Sequence, residues 1–110
     1  MSFVTDDQAS SALEFMMRNA KEIGKARANA DLAEDMAKRV KAIEMLRSDA
    51  KTVTERENEA LASEAYLKAI TEAAEAGGKL EEMRALSKAA ELRIECWRSL
   101  AATQRSIRAA

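Results

Sequence analysis

Residues 47–57 read RSDAKTVTERE, and the reading of this stretch decides the fold. Ser48-Asp49-Ala50-Lys51 is the best break anywhere between the two ends of the chain. Thr52-Val53-Thr54-Glu55 follows at once with the spacing of a capping box. In that motif a threonine hydroxyl accepts from the backbone N–H three residues on, and the glutamate reaches back to the threonine N–H. A long helix-forming segment lies on each side, so the chain is expected to stop, turn and start again here.

Working outward, Thr5-Asp6-Asp7-Gln8 is another capping box. It opens a helix expected over about 6–47, interrupted only by Gly24, which a helix tolerates at a cost of about 1 kcal/mol. Apolar residues recur in steps of three and four at Leu13, Met16, Ala20, Ile23, Ala26, Ala30, Ala33, Met36 or Ala37, Val40, Ile43 and Leu46. A short helix is expected over about 53–61. Ser63 is placed to cap a third helix over about 64–107, with Glu64 in the first turn, where the helix dipole favours an anion. Its stripe is Tyr66, Ile70, Ala73, Gly77, Leu80, Met83, Ala90, Ile94, Trp97 and Ala101, with a gap around Leu86 and Ser87. Gly77-Gly78 could be a turn. The stripe keeps its phase across the pair and no proline, asparagine or aspartate flanks it, so a continuous, locally weakened helix is expected.

The composition agrees. The chain has 110 residues, 47% hydrophobic and 34% charged, with no proline and three glycines. Alanine, glutamate, lysine, arginine, leucine and methionine dominate, and all of them lose little freedom in a helix. Aromatic residues make up only 4%, too few to fill a thick core. The expectation is a single all-α domain, 1–110: a long antiparallel, coiled-coil-like helical hairpin with a short connecting helix, oligomeric through the apolar surface that two helices cannot cover. A crude register, with the turn near residue 56, sets Trp97 beside Met16 and Met17 and Ala90 near Ile23. The expected structural core is Met16, Ile23, Val40, Ile43, Tyr66, Ile70, Ile94 and Trp97.

Several functions are disfavoured. The net charge of -1 argues against a general nucleic-acid coat protein. Without histidine the commonest general base and metal ligand are missing. Asp31, Glu34 and Asp35 read as a solvated charged face rather than a metal site. Gly77-Gly78 lacks the strand and the lysine-serine pair of a phosphate loop. Cys96 has no histidine to activate it and, beside Trp97, reads as a small packed hydrophobe despite Arg93 and Arg98 nearby. The chain is therefore expected to have no enzymatic activity, no metal and no cofactor. A lone cysteine, no run of about 18 apolar residues and no leader at MSFVTDDQ lead to an expectation of a soluble, cytoplasmic protein. The residues singled out for contact with a partner or with nucleic acid are Arg93, Arg98, Arg105 and Arg108, in the one locally positive stretch, and Lys38 with Arg39. The same arginines serve equally well as complements to the helix dipole or to acidic side chains across the hairpin.

Four stretches carry a resemblance. They are Ala26-Arg27-Ala28 with Leu32 and Glu34; Lys38-x-x-Lys41-Ala42; Thr52-Val53-Thr54-Glu55-Arg56-Glu57 with Tyr66 beyond it; and Leu92-Arg93-Ile94-Glu95-x-Trp97-Arg98. Across roughly residues 20–105 the chain resembles a group of small helical proteins of tailed phages and prophages, encoded near genes for single-strand annealing and other recombination proteins. It departs from the pattern at Ser63-Glu64-Ala65-Tyr66, where relatives often have a proline, and at Gly77-Gly78, where they often have an acidic run. The resemblance implies an accessory role in phage DNA recombination or replication in a bacterial host cell, through protein contacts and with weak DNA contact as an addition. It supplies no catalytic residue. Inhibition of a host defence system or host enzyme, or a place in the virion, are the alternatives.

Overall fold

The computed structural model describes residues 3–109. The protein is all-α, a helical hairpin of three helices among those residues. They are α1 (Asp6–Arg47), α2 (Val53–Ala62) and α3 (Glu64–Ala109).

Each helix begins where its capping residues direct. At α1, Gln8 N–H donates to Thr5 Oγ1 at 3.2 Å and Thr5 N–H donates to Gln8 Oε1 at 3.0 Å, so the box closes in both directions. At α2, Thr52 in an extended conformation accepts from Glu55 N–H at 3.1 Å. Ser63 serves two helices. Its N–H and its hydroxyl both donate to Ala60 O, closing α2, while the hydroxyl oxygen accepts from Tyr66 N–H at 3.2 Å, opening α3. α3 runs unbroken through Gly77-Gly78, as the phase of its stripe implied.

The chain divides into two compact units. One comprises Met1–Ile23 with Glu82–Ala110, the other Gly24–Glu81. In the first, α1 and α3 run antiparallel. Ser11, Ala12, Phe15 and Arg18 face a common groove with Leu86, Ala89, Ala90 and Arg93, and Asp6 meets Trp97. The contact positions are Ala9, Ala12, Met16, Asn19 and Ile23 on α1, and Met83, Ser87, Ala90, Ile94, Trp97 and Ala101 on α3, all buried or half-buried. Asn19 is tolerated there because its side-chain amide donates to Phe15 O of its own helix at 2.8 Å.

The second unit contains the connector. Its contact positions are Ala26, Ala30, Ala33, Ala37 and Val40 on α1, and Tyr66, Ala69, Ala73, Ala76 and Leu80 on α3. Steps of three and four define a heptad seam in both helices. α2 turns back against the end of α1. Lys41 Nζ donates to Glu57 Oε1 at 2.9 Å, Ser48 Oγ donates to Glu59 Oε2, and Arg56 Nε donates to Ala50 O at 2.8 Å. The turn is therefore tied down by side chains from both sides.

Three expectations are corrected. The register slips: Trp97 lies against Asp6 rather than Met16 and Met17, and Ala90 shares its groove with Ala12 and Phe15 rather than Ile23. The cause is the position of the turn, which occupies 48–52 and not residue 56, since α2 already belongs to the returning arm. The seam also follows alanine instead of the larger side chains. Ala12 and Asn19 take the places expected for Leu13 and Ala20, which are exposed, and Leu46 is exposed as well. Ile70, expected in the core, is 39% exposed because Ala69 holds the seam position beside it. Of the other expected core residues, Met16, Ile23, Val40, Ile43, Tyr66, Ile94 and Trp97 are half-buried.

The Lys41–Glu57 pair gives a pH prediction. The hydrogen bond and charge of Glu57 raise the Lys41 ammonium above the ordinary lysine range. A raised pKa means that the pair's contribution is complete below the unfolded-state value and is lost as pH rises through the folded-state value. Glu57→Gln is therefore expected to melt below the parent at neutral pH. The difference should close only as pH is raised above the ordinary lysine value of about 10.4, in thermal melts followed by circular dichroism.

Candidate interaction surface

Within the first unit, the end of α3 meets the start of α1. The Trp97 ring lies on the seam, half-buried, and its indole N–H donates to Asp6 Oδ1 at 2.6 Å. An indole has one donor and no acceptor, so a carboxylate at the first residue of the facing helix satisfies it completely. Asp6 serves twice, because an acidic residue in a first turn also suits the helix dipole. Around this bond Phe3, Val4, Leu100, Ala101 and Gln104 line an open cleft of about 560 Å³. A second groove of about 280 Å³ lies along the flank of the same unit. Its floor is Ala12 and Ala90, its walls are Phe15 and Leu86, and Arg18 and Arg93 are the cations at its edge. Alanine on the floor lets the helix backbones approach, and the larger neighbours then stand up as walls.

The arginines singled out from sequence are all exposed but do not converge. Arg98 and Arg105 are one heptad apart and share a flank of α3. Arg93 stands on the other flank, above the alanine-floored groove. Arg108 lies in the last turn of α3, where a cation complements the helix dipole. Lys38 and Arg39 are exposed and belong to the second unit. Arg18 is the residue that sequence reading missed. It comes beside Arg93 only through the register across the hairpin, and no signal local to Arg18 in α1 announces that.

Cys96 is also corrected. It is a free, exposed thiol, not a packed hydrophobe. Ile94 and Trp97 occupy the seam positions, and at about 100° per residue Cys96 is carried to the outer face of α3. On the same helix Lys88 pairs with Glu91 at 3.6 Å, an ordinary surface pair. Among the described residues, no cluster of three or more cysteines, aspartates and glutamates is placed to hold a metal ion. No described helix is long and apolar enough to cross a membrane.

Compared with known proteins, the chain finds no match: no family model fits it, and no curated protein and no solved structure is similar to it.

Proposed function

We propose that the chain is an interaction protein: a helical hairpin that works through the surfaces it presents to other proteins, without catalysis of its own. More particularly, it is read as an accessory factor of a phage or prophage, serving DNA recombination or replication in the cytoplasm of the bacterial host. The observation that carries the class is an inverted distribution of apolar side chains. Among the described residues the buried set is eight alanines and Leu80, while thirteen large hydrophobic side chains, Phe3, Leu32, Leu46 and Leu67 among them, are exposed. Monomeric soluble proteins keep contiguous apolar patches small, and larger ones mark contact with other molecules. The particular setting rests on the resemblance through Leu92–Arg98 and the three other stretches. The exposed arginines of α3 support an additional weak contact with phosphates.

The test is affinity purification of the tagged chain from cells producing the phage, with identification of what accompanies it. Recovery of a phage annealing or recombination protein, repeated with purified components, is the expected result. Recovery of a host nuclease or defence protein instead would replace the reading with inhibition, and abundant chain in purified particles would replace it with a virion role. Any DNA contact should weaken steeply as salt rises, because each neutralised phosphate releases counterions, and Arg98→Glu with Arg105→Glu should abolish it.

A further inference from the structure

The seam face of α3 changes character where its cover ends. From Met83 to Ala101 it carries apolar or small residues, in steps of three and four, that pack on α1 within the first unit. The same steps carried on reach Gln104 and Arg108, with Arg105 beside them. Asp6, the first residue of α1, already faces Trp97. The described residues ahead of it share a cleft with α3 that ends at Gln104. Every residue from Ala102 to Ala109 is exposed.

Charge also sets this end apart. Between Cys96 and Ala110 the sequence holds three arginines and no aspartate, glutamate or lysine. Arg98, Arg105 and Arg108 are seven and three residues apart, so they return to one face of the helix over about 15 Å. By the same phase Ala101, Ala102 and Ala109 fill the space between them, and their small side chains let a ligand come close to the helix. Among the described residues none of the three arginines enters an ion pair.

This chemistry selects the occupant. A further helix packed on the seam would need the face to stay apolar beyond Ala101, and it turns cationic instead. A protein surface would need a large apolar or aromatic anchor at its centre. The face offers alanine there, and helical phase carries Ile107 away from it. Stacking on bases needs exposed rings, whereas Trp97 is half-buried and its N–H is committed to Asp6. What remains is a row of guanidinium forks, which suit phosphate oxygens. We propose that the end of α3 binds the phosphate backbone of duplex nucleic acid, indifferent to sequence, through Arg98, Arg105 and Arg108. The proposal rests on the weak phosphate contact suggested above and gives it a face, a ligand class and a number of phosphates.

The test uses the full chain and fluorescently labelled DNA duplexes of about 20 base pairs and two unrelated sequences, read by anisotropy. Three phosphate contacts release enough counterions for affinity to fall about fortyfold between about 10 and 40 mM salt. Both duplexes should bind alike. Arg98→Gln, Arg105→Gln and Arg108→Gln, made singly, should each reduce that fall to about twelvefold, one contact fewer. All three positions are exposed, so helicity by circular dichroism should stay near that of the parent. Lys79→Gln, which removes an exposed charge from the second unit, should leave the fortyfold fall unchanged. No binding at about 10 mM salt overturns this proposal and the phosphate contact together, while a protein partner recovered by affinity purification would still uphold the interaction reading. Binding whose salt dependence ignores the three substitutions, or responds equally to Lys79→Gln, overturns the face. Displacement of the duplex by polyglutamate at matched charge overturns the ligand class in favour of an acidic protein surface.

Discussion

Replacing Gly24, Gly77 and Gly78 together by alanine is expected to raise the stability of the chain by about 2–3 kcal/mol. All three lie inside helices, at negative φ. A Cβ built on any of them meets nothing within 4 Å. The folded state therefore accepts the methyl groups without strain. The unfolded chain loses the extra freedom that glycine gives it, and that loss is the source of the gain. In a domain of about this size the increment corresponds to a rise in melting temperature of about 10 °C or more. Thermal melts of the triple variant and of each single variant check it. A fall in melting temperature at any one position would mean that another copy or partner closes on that backbone, because the single chain offers no clash.

Leu80→Ala should act in the opposite direction and cost about 2–4 kcal/mol. Leu80 is 7% exposed and is the one residue larger than alanine in the buried set of the described residues. Its seam neighbours on α3, Ala73 and Ala76, are too small to fill the vacated volume, so the site should collapse only in part. Domains of ordinary stability hold about 5–15 kcal/mol in all, so this one truncation removes a large share. Leu46→Ala is the control: Leu46 is 86% exposed, and in the monomer its loss should register within about 0.5 kcal/mol. Urea unfolding followed by circular dichroism distinguishes the two, and equal midpoints would refute the seam as described.

The helices were legible in the sequence because their ends are chemical signals. Thr5 with Gln8, Thr52 with Glu55, and Ser63 each form the bond that their spacing implies. The long central runs offered nothing to stop them. The seam was less legible. A hydrophobic pattern gives most weight to large side chains, whereas two closely paired helices select the smallest at each point of contact. Ala12 therefore displaces Leu13 and Ala69 displaces Ile70. The register was missed for a different reason. Whether α2 extends the first arm or begins the second depends on Lys41 meeting Glu57 and Ser48 meeting Glu59, long-range pairings that no local window contains. The Asp6–Trp97 bond lay hidden behind the same slip, and with it the groove shared by Arg18 and Arg93. The exposure of Cys96 was readable from helical phase, since Ile94 and Trp97 already claimed the seam.

Ser63 has a consequence beyond capping. Followed backwards from Tyr66, the heptad of α3 would bring Ala62 and Glu59 inward. In α2 the inward residues are instead Ala60, which is buried, and Glu57, which is half-buried, while Ala62 and Glu59 are exposed. The one-residue break thus works as a clutch between two helical reading frames. It disengages α2 from the phase of α3 and leaves the Glu59 carboxylate free to hold Ser48. Fusing the helices by Ser63→Ala would re-engage the frames and rotate the Glu59 charge toward the seam, at a site whose substitution looks conservative on paper.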